Sequence, residues 1–160
     1  MKVVAAAFSV AVIAAGISAL GAGAAPPAAP RSVTFHLVEK QVGSNFIDNP
    51  PRQGFRSPPL IGDSFALTSN LLTEGGAHAG TLEADCTVTR GGEHMRGTCY
   101  GVFALKGGQI AGIAFLNSSD VTHIAVVGGT GVYEGVTGSV TSVSRENTPF
   151  ADDTVHLIWP

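Results

Sequence analysis

The sequence predicts an all-β protein, an eight-stranded antiparallel β-barrel, on three observations. Beyond the first two dozen residues, Gly and β-branched residues are scattered too densely for a long amphipathic helix. Short β-type runs separated by turn residues recur instead, and there are about eight of them. Two cysteines also fall at positions that face each other across one predicted hairpin. Eight strands suit a closed barrel, which leaves no strand edge unpaired.

The predicted strands follow one another through mostly tight turns. They cover residues 33–39, 64–73, 80–89, 95–105, 109–117, 121–127, 138–144 and 154–159. The segment 43–62 is different, because it contains four prolines, which cannot donate a hydrogen bond to a strand ladder. It is predicted to be a long loop, either a lid over a site or a plain connection.

The N-terminal segment has the order of a secretory signal peptide. Lys2 precedes an uncharged, Ala-rich stretch, and Ala22 and Ala24 then form an A-x-A cleavage site. We expect a signal peptide over 1–24, a disordered Pro/Ala leader over 25–31 and a barrel domain over 32–160. The alternative is a retained membrane anchor, since 18 uncharged residues almost span a bilayer. Cleavage would give a secreted or extracytoplasmic protein.

The charge balance argues against several classes of partner. Without Lys2 the chain keeps eight basic and twelve acidic residues, a formal net charge of −4. Nucleic acid binding depends on Lys and Arg neutralising phosphates, so this balance predicts no nucleic acid partner. A Lys/Arg-rich amphipathic helix for membrane-surface binding is also missing from the sequence.

Cys86 and Cys99 are predicted to form a disulfide. A turn between Gly92 and Glu93 would place them directly opposite each other on neighbouring strands, within disulfide reach. An exported chain with two cysteines usually pairs them. The histidines are dispersed, without metal-ligand spacing, so no metal site is predicted.

A glycine-rich segment at 128–138, GGTGVYEGVTG, follows an apolar strand as a dinucleotide-binding motif would. Its third glycine comes one position too late for that motif, and a strand-like run follows where a helix is needed. The same segment resembles the glycine signature of allene oxide cyclases and dirigent proteins. Residues 61–70, IGDSFALTSN, and more loosely 79–86, AGTLEADC, are similar to further segments of the cyclases. The resemblance implies an eight-stranded barrel with a ligand cavity, frequently trimeric.

The resemblance also implies a catalytic set, which this chain keeps only in part. In an ungapped match the cyclases' strand-1 Glu falls on His36, their Asn on Val38 and their Ser-Pro pair on Ser44 and Asn45, whereas their later Asn falls on Asn70. A His is not a fixed anion near neutral pH, which argues against allene oxide cyclase activity itself. His36, Ser44 and Asn70 are the predicted catalytic residues. Both His36 and Asn70 have a plainer interpretation as hydrogen-bonded packing residues.

The remaining candidates are predicted ligand-binding residues. Thr34 and Val38 share the strand face of His36, and the resemblance implies that this face points inward. Asn45 is included because it occupies the second position of the cyclases' Ser-Pro pair, after the first predicted strand. Asp85 and Tyr100 should face each other beside the disulfide, either as a surface pair or as a polar spot in the cavity. Glu39 and Lys40, at the predicted end of the first strand, are expected to be solvated.

These features predict a barrel that binds a small apolar ligand and guides its cyclisation or isomerisation as a cofactor-independent isomerase or cyclase. A non-catalytic carrier of an apolar molecule and a filled structural barrel at the cell surface are the alternatives. Several strands are apolar on both faces, which predicts a homo-oligomer, a trimer or a dimer.

Overall fold

A computed structural model of the protein describes residues 29–49, 58–117 and 119–160. The eight strands are β1 (Arg31–Ile47), β2 (Ser64–Leu72), β3 (His78–Arg90), β4 (Arg96–Leu105), β5 (Gly108–Leu116), β6 (Val121–Gly129), β7 (Thr137–Ser144) and β8 (Phe150–Trp159). Each strand pairs antiparallel with the next, and β8 pairs with β1 to close the barrel. The predicted fold class is confirmed. In the part of the chain that the structure describes, no helix is long and apolar enough to span a membrane.

The first strand is longer than predicted. A bulge between Gln41 and Gly43 shifts the register, after which β1 continues along β2 until Ile47 faces Ser64. The prediction of a loop from residue 43 is therefore wrong, because this ladder extends the strand by several residues. The predicted signal peptide over 1–24, the leader up to residue 28 and the loop residues 50–57 lie outside the described residues.

Buried apolar side chains fill one half of the barrel. They are Leu37, Leu71, Leu82, Phe103, Ile110, Val126, Val136, Val140, Val155 and Leu157. This half, the closed end, carries the turns that follow β2, β4 and β6. The turns that follow β1, β3, β5 and β7 lie at the opposite, open end. Inward residues alternate with outward ones along each strand, as a pleated barrel requires.

The glycine-rich segment lies at the closed end, where it packs against the turn between β4 and β5. It forms a single 3-10 turn, Gly131–Tyr133, whose Val132 N–H donates to the Gly107 carbonyl at 3.0 Å. A Cβ atom on Gly108 would lie 2.0 Å from the Thr130 carbonyl oxygen, so this close approach requires glycine. The segment is therefore a structural closure of the barrel.

The hairpin of β3 and β4 has the predicted register. Cys86 faces Cys99, with their Cα atoms 4.0 Å apart, and the two form the predicted disulfide. Asp85 faces Tyr100 one position along. The disulfide points into the barrel, because the alternating residues Leu82, Cys86 and Val88 are all buried.

Candidate functional site

A cavity of about 240 Å³ occupies the barrel between the apolar core and the open end. Its floor includes Leu82 and Phe103, and it reaches Thr148 and Pro149 in the turn between β7 and β8. Phe65, Leu67, Leu116 and Ile124 are among the apolar side chains of its wall.

The cavity exists because three neighbouring strands carry small residues at the same level. Ala84 on β3 faces Gly101 on β4, which in turn faces Gly112 on β5. The next rung toward the open end contains the disulfide and Ala114. All of these residues line the cavity. Large side chains at these positions would fill the space as they do at the closed end.

Glu39 projects from β1 into the cavity wall. Its Oε1 atom accepts a hydrogen bond of 2.7 Å from the hydroxyl of Ser69, which is fully buried on β2. Burial raises the pKa of Glu39 above its usual value, and the Ser69 hydrogen bond opposes part of that rise. The expectation that Glu39 is solvated is wrong, because β1 continues past it and its inward face includes Leu37, Glu39 and Gln41.

Asp153 lies on the inward face of β8, one rung below Glu39. It faces Leu37 on β1 and Ser142 on β7, and only 1% of its surface is exposed. Among the described residues, neither of its carboxylate oxygens has a partner in hydrogen-bonding geometry. Burial raises the pKa of Asp153 to about 7; the nearby Ser142 hydroxyl offsets part of this shift, and the charges of Glu39 and Asp152 add to it.

Glu39 and Asp153 form a coupled acid pair. They are diagonal neighbours across β1 and β8, since Glu39 faces Ala151 and Asp153 is two residues further along. The charge of Glu39 adds to the rise in the pKa of Asp153, so Asp153 keeps its proton to a higher pH than an exposed carboxyl would. Glu39, which lines the cavity, can accept a proton from a ligand, return it, or stabilise positive charge on the ligand.

The sequence contains a signal that would have found both residues. Along β1 the alternate set Val33, Phe35 and Leu37 is more apolar than Thr34, His36 and Val38, which favours odd-numbered residues inside. Continuing that alternation reaches Glu39. Asp153 alternates in the same way with Val155 and Leu157, but the predicted last strand began one residue too late to include it.

The predicted first-strand face points outward. Thr34 and His36 are exposed, and their side chains contact β8 through His156 at 2.9 Å and Thr154 at 3.2 Å, respectively. Val38 is half-buried on the same outer face, since its neighbours Leu37 and Glu39 face inward. The prediction that His36, Thr34 and Val38 face the cavity is wrong, because strand alternation places them on the opposite side from Leu37.

The structure does not bring the other predicted catalytic residues together. Asn70 is half-buried on the outer face, between the inward Ser69 and Leu71. Ser44 faces Leu67 across the ladder and so shares its side of the sheet, but it is exposed near the open end. Asn45, beside it, is also exposed.

Asp85 and Tyr100 are a surface pair. Both are exposed on the outer face, opposite to the disulfide, so the alternative that placed them in the cavity is wrong. Asp63, in contrast, is fully buried and accepts backbone hydrogen bonds from Asn49 at 3.0 Å and Leu60 at 2.7 Å. It holds the two described ends of the loop between β1 and β2 together.

Within residues 29–49, 58–117 and 119–160, no group of three His, Cys, Asp or Glu side chains could hold a metal ion.

Comparisons with known proteins show similarity at the level of structure alone. No family model and no curated protein matches the sequence. A pyocyanin demethylase structure superposes with a TM-score of 0.67 at 23% identity, covering 78% of this chain and 99% of that one. The exo-specific intermolecular Diels-Alderase AbnU gives 0.63 at 14% identity, covering 81% and 98%. A pterocarpan synthase dirigent protein gives 0.65 at 16%, covering 82% and 86%. The protein thus has the dirigent-like β-barrel fold that these enzymes share.

Proposed function

We propose that the protein is an exported barrel that binds a small, largely apolar molecule in its cavity and guides its cyclisation or isomerisation. The observation that carries the proposal is a single carboxyl, Glu39, in a mostly apolar cavity wall, with the buried Asp153 behind it. The similarity of the fold to dirigent proteins and Diels-Alderases supports it.

The cavity walls supply most of the catalytic effect in this proposal. They exclude water and hold a flexible ligand in one reactive conformer, which lowers the entropic part of the barrier. Glu39 lines the cavity and acts on the ligand as a base or as an anionic partner to developing positive charge. Asp153 is a positioning residue that keeps a proton beside Glu39. An isomerisation that takes up and returns one proton needs no external oxidant or reductant.

The test is incubation of the purified protein with an extract of apolar metabolites, with retained and transformed species identified by mass spectrometry. Glu39→Gln should abolish turnover. Glu83→Gln is the matched control, because Glu83 accepts a 2.7 Å hydrogen bond from Thr68 on the outer face of the barrel. Equal turnover by both variants would contradict the proposed role of Glu39.

A carrier without catalysis is the second candidate, favoured by the predominance of apolar residues in the cavity wall. Retention of a ligand without turnover would support it. Catalytic roles for His36, Ser44 and Asn70 stay predictions from the sequence. If His36→Ala or Asn70→Ala lost turnover while Glu39→Gln stayed active, the catalytic site would lie on the outer face of the barrel.

Export and self-association complete the proposal. The disulfide is compatible with an oxidising compartment, and a mature N-terminus at Ala25, read by mass spectrometry, would establish cleavage of the signal peptide. Tyr100, Ile113 and Phe115 are exposed apolar side chains on adjacent strands β4 and β5, which supports a homo-oligomer.

A further inference from the structure

We infer that the ligand of the cavity carries a basic nitrogen whose N–H group donates to the Glu39 carboxylate. The inference rests on the proposed binding function of the cavity and names the chemical class that this cavity selects. A carboxylic acid or a phosphate ester of the same shape is expected to be rejected.

The charge of the described cavity wall comes from one side chain. Among the described residues that line it, Glu39 is the one ionisable side chain, and the others are apolar or neutral polar groups. Ser69 occupies Oε1 of Glu39, and no described residue hydrogen-bonds to Oε2. A carboxylate oxygen without a protein partner in a cavity wall is an acceptor that a ligand N–H can satisfy.

Asp153, the buried neighbour of Glu39, also disfavours an anionic ligand group. Asp153 is almost fully buried and unpartnered on the same inward face, so it adds negative charge or retains a proton, and never supplies positive charge. An anionic ligand group beside these two carboxyls would be an uncompensated like charge in a site of low dielectric constant. A ligand cation there would be attracted to the pair.

Two cations that contact Phe150, a residue of the cavity lining, do not supply positive charge to the cavity interior. Lys40 and Arg145 lie against the Phe150 ring, with the Lys40 Nζ and Arg145 Cζ atoms each 5.8 Å from its centroid. Both side chains are exposed, and Arg145 is already paired with Asp152. These charges belong to the outer surface, whereas the Glu39 carboxylate lines the cavity.

The test uses three probes that share a naphthalene ring and differ in the charge of their substituent: 2-naphthylmethylamine, 2-naphthalenemethanol and 2-naphthoate. Binding to the purified protein is measured by calorimetry at pH 8. We expect the amine to bind at least tenfold more tightly than the acid, with the alcohol between them. Glu39→Gln should reduce the amine-to-acid ratio to within about threefold, and Glu83→Gln should leave it unchanged. Circular dichroism verifies that both variants are folded.

The outcomes distinguish failure of the inference alone from failure of the proposed binding function. Equal binding of the three probes, or preference for the acid, would overturn the inference while the ligand-binding cavity stands. An amine preference that survives Glu39→Gln would also overturn it, because the selecting charge would then lie elsewhere. If none of the probes binds, the cavity function and the inference fail together. The comparison among probes on the unmodified protein does not depend on any variant.

Discussion

Asp153 is the residue at which the barrel departs most from an apolar interior. A buried carboxyl without hydrogen bonds lowers the stability of the folded state, the more so once it ionises. Asp153 lies diagonal to Glu39, the carboxyl that lines the cavity, so its cost in stability accompanies the proposed role of Glu39.

Asp153→Asn should change how stability depends on pH. The pKa of Asp153 is about 7 in the folded protein and 3.8 as its reference value, so the folded state holds this proton more tightly. Stability from this group is complete below the reference value and is lost as pH rises toward 7. The loss amounts to at most on the order of 4 kcal/mol. At pH 8 the variant should therefore unfold at a higher urea concentration than the unmodified protein.

Urea unfolding measured from pH 4 to pH 8 tests this expectation. Asp85→Asn is the control, because Asp85 is an exposed carboxyl on the outer face. Parallel pH profiles for the unmodified protein and Asp153→Asn would show that Asp153 carries no such penalty.

At the scale of elements, the β3–β4 hairpin is stabilised by its backbone hydrogen-bond ladder and also by the inward-facing disulfide. Replacing both Cys86 and Cys99 with Ala should lower the free energy of unfolding by about 3 kcal/mol, the chain-entropy value for a short loop. Denaturant titration measures the change. Thr87→Ala with Thr98→Ala, a facing pair on the outer side of the same hairpin, should cost less than about 1 kcal/mol. An equal loss in the two double variants would contradict a special contribution of the disulfide.

The small residues of β3, β4 and β5 determine where the cavity lies. Ala114→Leu should fill the cavity and abolish ligand retention while leaving thermal stability unchanged or higher, because the added side chain enters empty space. Ala104→Leu is the control, since Ala104 lies between the inward Phe103 and Leu105 and faces outward. Retention of ligand by Ala114→Leu, measured by mass spectrometry, would place the binding site outside this cavity.

At the scale of the whole molecule, the outer surface of β4 and β5 predicts self-association. Tyr100 and Ile113 face each other across the ladder, and Phe115 lies beside them. We expect light scattering to give a mass that is a multiple of the monomer, and Ile113→Lys to reduce it to one copy. Thr137→Lys, an exposed substitution on β7, should leave the assembly intact. A monomeric unmodified protein would contradict the prediction.

The sequence predicted the strands and one hairpin register well, because these depend on local patterns. Turn residues mark the ends of β2 to β7, and two cysteines at matching distances from one turn specify the alignment of β3 and β4. The inward face of the first strand was predicted wrongly. His36 was assigned to the interior by its alignment with a family motif, although the more apolar residues Val33, Phe35 and Leu37 alternate with it.

The amino-acid sequence by itself determined an eight-stranded antiparallel barrel, because alternation, turns and cysteine spacing act over a few residues. Only the tertiary structure decided that Glu39 and Asp153 lie diagonally across two paired strands. Apolar alternation indicates which face of a strand is inside, but not which residues of a distant strand lie beside it. Closure of β8 on β1 joins residues from the two ends of the barrel domain, and no local pattern encodes that contact.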